Sequence, residues 1–219
     1  MVLSGGGAAG VAHVGVLKAL EERHIPIDFV VGTSAGALVA SMYACGYSPA
    51  EIEAYILSEP FQLMVKGEVE VEKKFFFFDD SNTSSMFNIP FSKDSILQKS
   101  IPLSFVNPTY FDFEMLRIFG RTSASIGNNY DQLFVPFRCV ASDVIKKESV
   151  VFSNGNLNES VRASMTFPLY LNPIRINGVL YFDGGLYNNF PLNVMYESFP
   201  ADFIIGSNVT KNEITSNEN

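Results

Sequence analysis

Tryptophan is absent from this chain of 219 residues, and cysteine and histidine occur only twice each. The shortage of histidine and cysteine is the most informative one. Zinc and related metal sites draw mainly on imidazole and thiolate ligands, and no His, Cys and acidic residues cluster here at ligand spacing. No metal and no organic cofactor is implied. Cys45 lies in an apolar helical stretch and Cys139 in an apolar strand. Two buried thiols are expected, although the sequence leaves a bridge open. Positive charge is scarce too: 15 Lys and Arg stand against 23 Asp and Glu, a formal charge of −8. That balance excludes nucleic acid and argues against electrostatic binding to anionic lipid. No apolar run is long enough for a membrane-spanning helix. What the chain has in quantity is apolar side chains, 47% of the residues and 20 of them Phe. This suits one globular domain with a full core.

The chain opens with a strand ending at Val2-Leu3, a glycine loop Ser4–Gly10, and apolar residues at helical spacing from Val11 to Arg23. Ile27–Val31 is the second strand. This βαβ start predicts an α/β fold, a three-layer α/β/α arrangement with a central, mostly parallel sheet. A buried helix is expected to Ala44, with Gly46 at its C-terminal cap. Ser48-Pro49-Ala50-Glu51 reads as a capping box opening a helix to about Ser58. Residues 60–130 are the least regular, with a helix near Tyr110–Phe119. They are rich in rings (Phe75–Phe78, Phe87, Phe91, Phe105, Phe111, Phe113), with Met86 among them, which suit core or an acyl-chain lid or groove. Strands follow at 136–140 and 149–152, with a turn at Asn154-Gly155 and a short helix at 158–165. Asn177-Gly178 joins a hairpin of 174–176 and 179–182. A helix at 191–198, a last strand at 203–206 and a polar tail at 211–219 complete the chain.

The densest chemical signal is Gly32-Thr33-Ser34-Ala35-Gly36, a G-x-S-x-G sequence between a strand and a helix. In that setting the turn lifts the serine hydroxyl off the sheet, and the helix start presents unpaired N–H groups beside it. A plain helix cap at Ser34 is the alternative. Gly5, Gly7 and Gly10 also fit the dinucleotide pattern G-x-G-x-x-G. That pattern needs an acid at the end of the second strand, whereas Asp28 sits at its start. A glycine loop opening a helix can hold any anion, a transient oxyanion included.

A nucleophilic serine needs a base. His13 and His24 both precede Ser34, so the order Ser, acid, His is impossible. His13 reads as packed in the first helix and His24 as a helix-end residue. Among carboxylates, Asp183 stands out at the end of an apolar strand, followed by Gly184 and Gly185, though Asp-Gly-Gly alone is equally a turn.

Taken together these segments resemble the patatin-like phospholipases. The glycine loop Gly5–Gly10, the elbow Gly32–Gly36 and Asp183-Gly184-Gly185 match that family's pattern in order and spacing, and Ala163–Pro168 resembles a further family segment. The resemblance runs to about residue 208 and is weakest at 60–130. It implies a patatin-like lipid acyl hydrolase domain over 1–210, with Ser34 as nucleophile and Asp183 as base. Gly5, Gly6, Gly7 and Ala8 would supply the oxyanion amides. Gly10, Gly32, Gly36, Gly184 and Gly185 complete the motifs. It further implies a lipid or phospholipid substrate and transient contact with a membrane surface. Bacterial members are often secreted or joined to an outer-membrane barrel; the tail fits a linker into such a C-terminal module and a free terminus equally well, and a cytoplasmic location stays open. Ala9 departs from the pattern, standing where the family usually carries Arg or Lys. That departure weakens the expectation for charged headgroups and keeps a lipid-binding module with little catalysis as the alternative function.

Overall fold

The computed structural model of the chain describes residues 1–68 and 106–210. Strands β1 (Val2–Leu3), β2 (Val30–Thr33), β3 (Phe137–Asp143), β4 (Glu148–Phe152), β5 (Ile174–Ile176), β6 (Val179–Asp183) and β7 (Gly206–Ser207) form one sheet. The helices are α1 (Ala12–Glu22), α2 (Ala35–Ala44), α3 (Pro49–Leu57), α4 (Glu59–Lys66), α5 (Pro108–Ser125), α6 (Leu157–Ser164) and α7 (Leu192–Ser198). The sheet order is β5-β6-β3-β2-β1-β7, with β4 on the other edge of β3. β1, β2, β3 and β7 are mutually parallel, β4 and β6 run against β3, and β5 runs against β6. The sheet is therefore mixed but mostly parallel.

Alternation along the strands builds the layers, because successive side chains leave opposite faces of a sheet. Leu3, Val30, Phe137 and Cys139 join the larger core, which contains residues of α1 to α6. Val2, Val31 and Val140 face the other way and meet Val194, Met195 and Phe199 on and just after α7. The three layers are thus unequal, with one face covered by many helices and the other chiefly by α7.

Local sequence accounts for most element ends. Ser48 and Glu51 form the reciprocal capping box that opens α3, and Gly46 takes φ 93° just past α2. Asn177 and Gly178, at φ 49° and 84°, make the paired left-handed turn of the β5–β6 hairpin. Several boundaries differ from expectation. α3 does stop at Leu57, but Pro60 then sits in the first turn of α4, where a missing N–H does no harm. β7 lies at 206–207 rather than 203–206. Its register is set by the short β1, which pairs Val2 with Gly206 and Leu3 with Ser207, and Phe203 is left outside the sheet and exposed. The ring-rich stretch from Phe75 to Phe105 and the tail at 211–219 fall outside the described residues.

Two glycines let α2 lie directly over the first strands. A Cβ on Gly36 would stand 2.5 Å from the carbonyl oxygens of Leu3 and Ser4, and one on Gly32 would stand 2.7 Å from the Ala37 backbone. Neither neighbour can yield without breaking β1 or α2. Gly36→Ala is accordingly expected to destabilise the fold by about 1–3 kcal/mol, read as a lowered midpoint in a thermal melt.

Candidate active site

The site is made by two strands that meet end to end. β2 runs with β3 and β6 runs against it, and both pair with the same edge of β3. Thr33 is in register with Val140, and Asp183 with the next residue, Ala141. The carboxyl ends of β2 and β6 therefore converge on one point. Ser34 follows Thr33 there, and its Oγ donates to Asp183 Oδ2 at 2.6 Å across 149 positions of sequence.

Ser34 does not cap α2; its side chain makes no capping bond. Its backbone is at φ 54°, ψ −124°, a conformation that side-chain-bearing residues rarely adopt and that costs of order 1–3 kcal/mol. Three bonds hold it there. Its N–H donates to Ser164 Oγ at 2.8 Å, its carbonyl accepts Leu38 N–H at 3.1 Å, and its hydroxyl is tied to Asp183.

Asp183 is nearly buried and fixed on all sides. Its Oδ1 accepts the Gly185 N–H at 2.8 Å, its N–H donates to Thr166 O at 2.8 Å, and its carbonyl accepts Ser142 Oγ at 2.8 Å. Burial pushes the carboxyl pKa above its ordinary value, against the smaller lowering by the bonds from Ser34 and Gly185. The result is a carboxylate with more affinity for a proton than one in water. Gly184 and Gly185 are needed for contact. A Cβ on Gly184 would stand 2.2 Å from Val140 O, and one on Gly185 2.7 Å from Asn189 Oδ1.

The glycine loop lies beside the serine. Gly6, Gly7, Ala8 and Gly10 line the same cleft as Ser34 and Asp183, and Gly10 abuts Ala35 closely enough that a Cβ would be 2.4 Å from its methyl group. Gly5 differs from the expectation: its N–H is occupied, donating to Asn189 O at 2.9 Å. The loop amides with no such acceptor among the described residues are those of Gly6, Gly7 and Ala8. Ala9 is exposed and does not line the cleft.

His13 is wholly buried and structural. Its Nε2 is 2.8 Å from Ser4 O and its Nδ1 2.8 Å from Ser207 Oγ, so it ties α1 to the ends of β1 and β7. Desolvation lowers its pKa, against the smaller raising by the bond to Ser4 O. His24 is an exposed residue at the end of α1, with φ 54°. Cys45 and Cys139 are both free, and burial pushes each thiol up to about 12.

The cleft has a volume of about 1060 Å³ and is almost wholly apolar. Leu38 and Val39 of α2, Ile56 of α3, Phe61 and Val65 of α4, and Phe111 of α5 form its walls. Some of the ring-rich region thus does shape the cleft. Exposed apolar residues stand at its mouth, among them Val11, Phe167, Leu169 and Leu186. Leu169 follows Pro168 in a turn closed by Tyr170 N–H on Phe167 O, and holds φ 68°, a position where glycine is the usual occupant.

Sequence reasoning missed Ser142, Ser164 and Asn189. Ser164 was within reach, since it lies inside the Ala163–Pro168 segment; Ser142 and Asn189 carry no local signal.

The fold is an α/β sheet that sets a strained serine and a buried carboxylate within hydrogen-bond reach at two strand ends. The chain belongs to the patatin-like phospholipase family, whose sequence model matches residues 1–196. It is 31% identical over 202 residues to the patatin-like phospholipase domain-containing protein ZK370.4 of Caenorhabditis elegans, covering 89% of this chain and 12% of that protein. It is 30% identical over 218 residues to patatin-like phospholipase domain-containing protein 6 of Homo sapiens, covering 98% of this chain and 14% of that protein. Lysophospholipase NTE1 of Candida albicans is 28% identical over 196 residues, again 12% of its length. The chain thus spans about an eighth of the length of these curated relatives. Among solved structures, VipD from Legionella pneumophila has a similar fold, with a TM-score of 0.52 at 16% identity, covering 86% of this chain and 46% of VipD.

Proposed function

We propose that this chain is a lipid acyl hydrolase that works through a Ser34–Asp183 dyad and an acyl-enzyme. The observation that carries the reading is the 2.6 Å bond from Ser34 Oγ to a buried carboxylate. Ser34 Oγ attacks the ester carbonyl carbon while Asp183 takes its proton. The oxyanion lies against the amides of Gly6, Gly7 and Ala8, each such donor being worth roughly 3 kcal/mol of barrier. Asp183 then gives its proton to the leaving alcohol. In the second half a water attacks the acyl carbon while Asp183 takes the water's proton; the bond from the acyl carbon to Ser34 Oγ then breaks, Asp183 returns the proton to Oγ, and the acid product leaves. The apolar cleft suits an acyl chain, and the exposed apolar residues at its mouth suit contact with a lipid aggregate. The charge of −8 favours zwitterionic or neutral lipids, phospholipids and lysophospholipids among them, over anionic ones.

Labelling by a fluorophosphonate with p-nitrophenyl ester hydrolysis tests the reading. Covalent modification at Ser34 with parallel loss of hydrolysis is expected. An unmodified Ser34 would leave a lipid-binding module instead. The pH dependence follows from the burial of Asp183. The base must be ionised, so kcat/KM should fall as pH drops through the Asp183 pKa, which burial raises above its ordinary value. Stability has the opposite sign. Between the unfolded and the higher folded pKa the folded state binds more protons, so this group makes the fold less stable as pH rises through that window. A rate profile paired with melts over the same pH range checks both directions.

A further inference from the structure

The end of α6 holds both members of the proposed dyad. Ser164 is wholly buried, and its hydroxyl works in two directions. It accepts the Ser34 N–H at 2.8 Å and donates to Val140 O at 2.5 Å. The Ser34 N–H has no other acceptor among the described residues. The Ser34 N–H lies past the last β2–β3 register pair, Thr33 with Val140, at a helix start whose first N–H groups have no intrahelical acceptor. Val140 O faces the junction where the neighbour of β3 changes from β2 to β6, a gap so narrow that only Gly184 fits against it. Two residues on, the carbonyl of Thr166 accepts the Asp183 N–H at 2.8 Å. The α6 end is itself braced, since Arg162 Nε donates to Asp112 Oδ1 at 2.6 Å and its guanidinium also bonds Thr166 Oγ1.

We propose that Ser164 is a positioning residue for Ser34: its hydroxyl bridges Ser34 N–H and Val140 O and so holds the serine in the conformation that aims Oγ at Asp183. This rests on the dyad reading and adds to it a residue that never touches substrate. Only a group that both donates and accepts can make the bridge. Alanine removes the hydroxyl that both groups bond, and leaves the Ser34 N–H unpaired and a strained serine backbone with one restraint fewer. Displacements of the order of an ångström at a reacting group cost about 100-fold in rate.

The test compares Ser164→Ala with Ser160→Ala in the full chain. Ser160 lies on the same helix, is buried, and bonds the Tyr130 hydroxyl at 2.7 Å, so its loss perturbs α6 without touching Ser34. For Ser164→Ala, kcat and the rate of fluorophosphonate labelling should fall by about 10- to 100-fold, with KM changed by less than about twofold. The acid limb of the pH profile should move toward higher pH, because a displaced Ser34 Oγ no longer lowers the Asp183 pKa through its bond. The Ser34 amide should exchange faster with deuterium by nuclear magnetic resonance. Ser160→Ala should lower the melting temperature and leave kcat near wild type. A Ser164→Ala enzyme with wild-type kcat and wild-type Ser34 amide protection overturns the proposal, as does an equal loss of kcat in Ser160→Ala. If Ser164→Ala does not fold, Ser164→Cys takes its place: thiols donate and accept weakly, so full activity in folded Ser164→Cys counts against the bridge. Failure of the dyad reading looks different. The wild-type chain would then resist labelling, while the Ser34 amide would still report on the bridge.

Discussion

Asp183→Asn is expected to lower kcat for ester hydrolysis by roughly 10³-fold or more while leaving the protein folded. Asparagine is close to aspartate in shape, and both of its contacts can survive. Its oxygen can accept the Gly185 N–H, and its amide nitrogen can donate to Ser34 Oγ, reversing the bond that now runs the other way. What disappears is the ability to take the serine proton. Burial currently disfavours the ionised carboxylate, so removing the charge relieves the fold of a group it holds poorly at neutral pH. The melting temperature at pH 7 should be equal to or above wild type. A folded Asp183→Asn protein retaining a tenth of wild-type activity, on the order of 1.4 kcal/mol in barrier, would end the assignment of Asp183 as base.

The second large effect separates chemistry from strain. Ser34→Ala and Ser34→Gly should both abolish fluorophosphonate labelling and ester hydrolysis, because each removes the hydroxyl that donates to the Asp183 carboxylate. Their stabilities should differ in the direction opposite to the ordinary one. In most positions glycine is the less stable choice, having more backbone freedom to lose on folding. At φ 54°, ψ −124° alanine keeps the steric conflict and glycine does not. Ser34→Gly is expected to be more stable than Ser34→Ala by about 1 kcal/mol. Both variants lose the same hydrogen bond, so the comparison isolates the backbone. Equal melting temperatures would mean that the elbow stores no strain.

The sequence made some of this legible and hid the rest for definite reasons. The elbow could be read because its requirements are local. Gly32 and Gly36 must lack side chains where α2 crosses β2 and β1, and the serine must sit between them. Asp183 could be read as a strand-end carboxylate, and its place in the family pattern named its partner. That the two meet was not readable from either segment, since it depends on β2 and β6 sharing one edge of β3 in opposite directions. The occupied Gly5 amide was hidden for a similar reason: its acceptor, Asn189 O, is 184 positions away. Ser164 stood inside the Ala163–Pro168 segment, but a buried serine at a helix end is common, and the contact with Ser34 is what gives it a role. α4 was missed because Pro60 reads as a stop as readily as a start. The shift of β7 followed from β1, whose two residues dictate where the last strand can pair.

The junction on β3 also bears on how such a protein can change. The gap between hydroxyl and carboxylate is measured by a single peptide step, Val140 to Ala141, and not by the long stretch of chain that joins Ser34 to Asp183. Insertions between α2 and β3 can lengthen, shorten or replace the walls of the cleft without altering that measurement. Loss of one residue from β3 would part the pair at once. Under the proposed function, a protein built in this way can be re-tailored to new lipids while Ser34 and Asp183 stay on the same ruler.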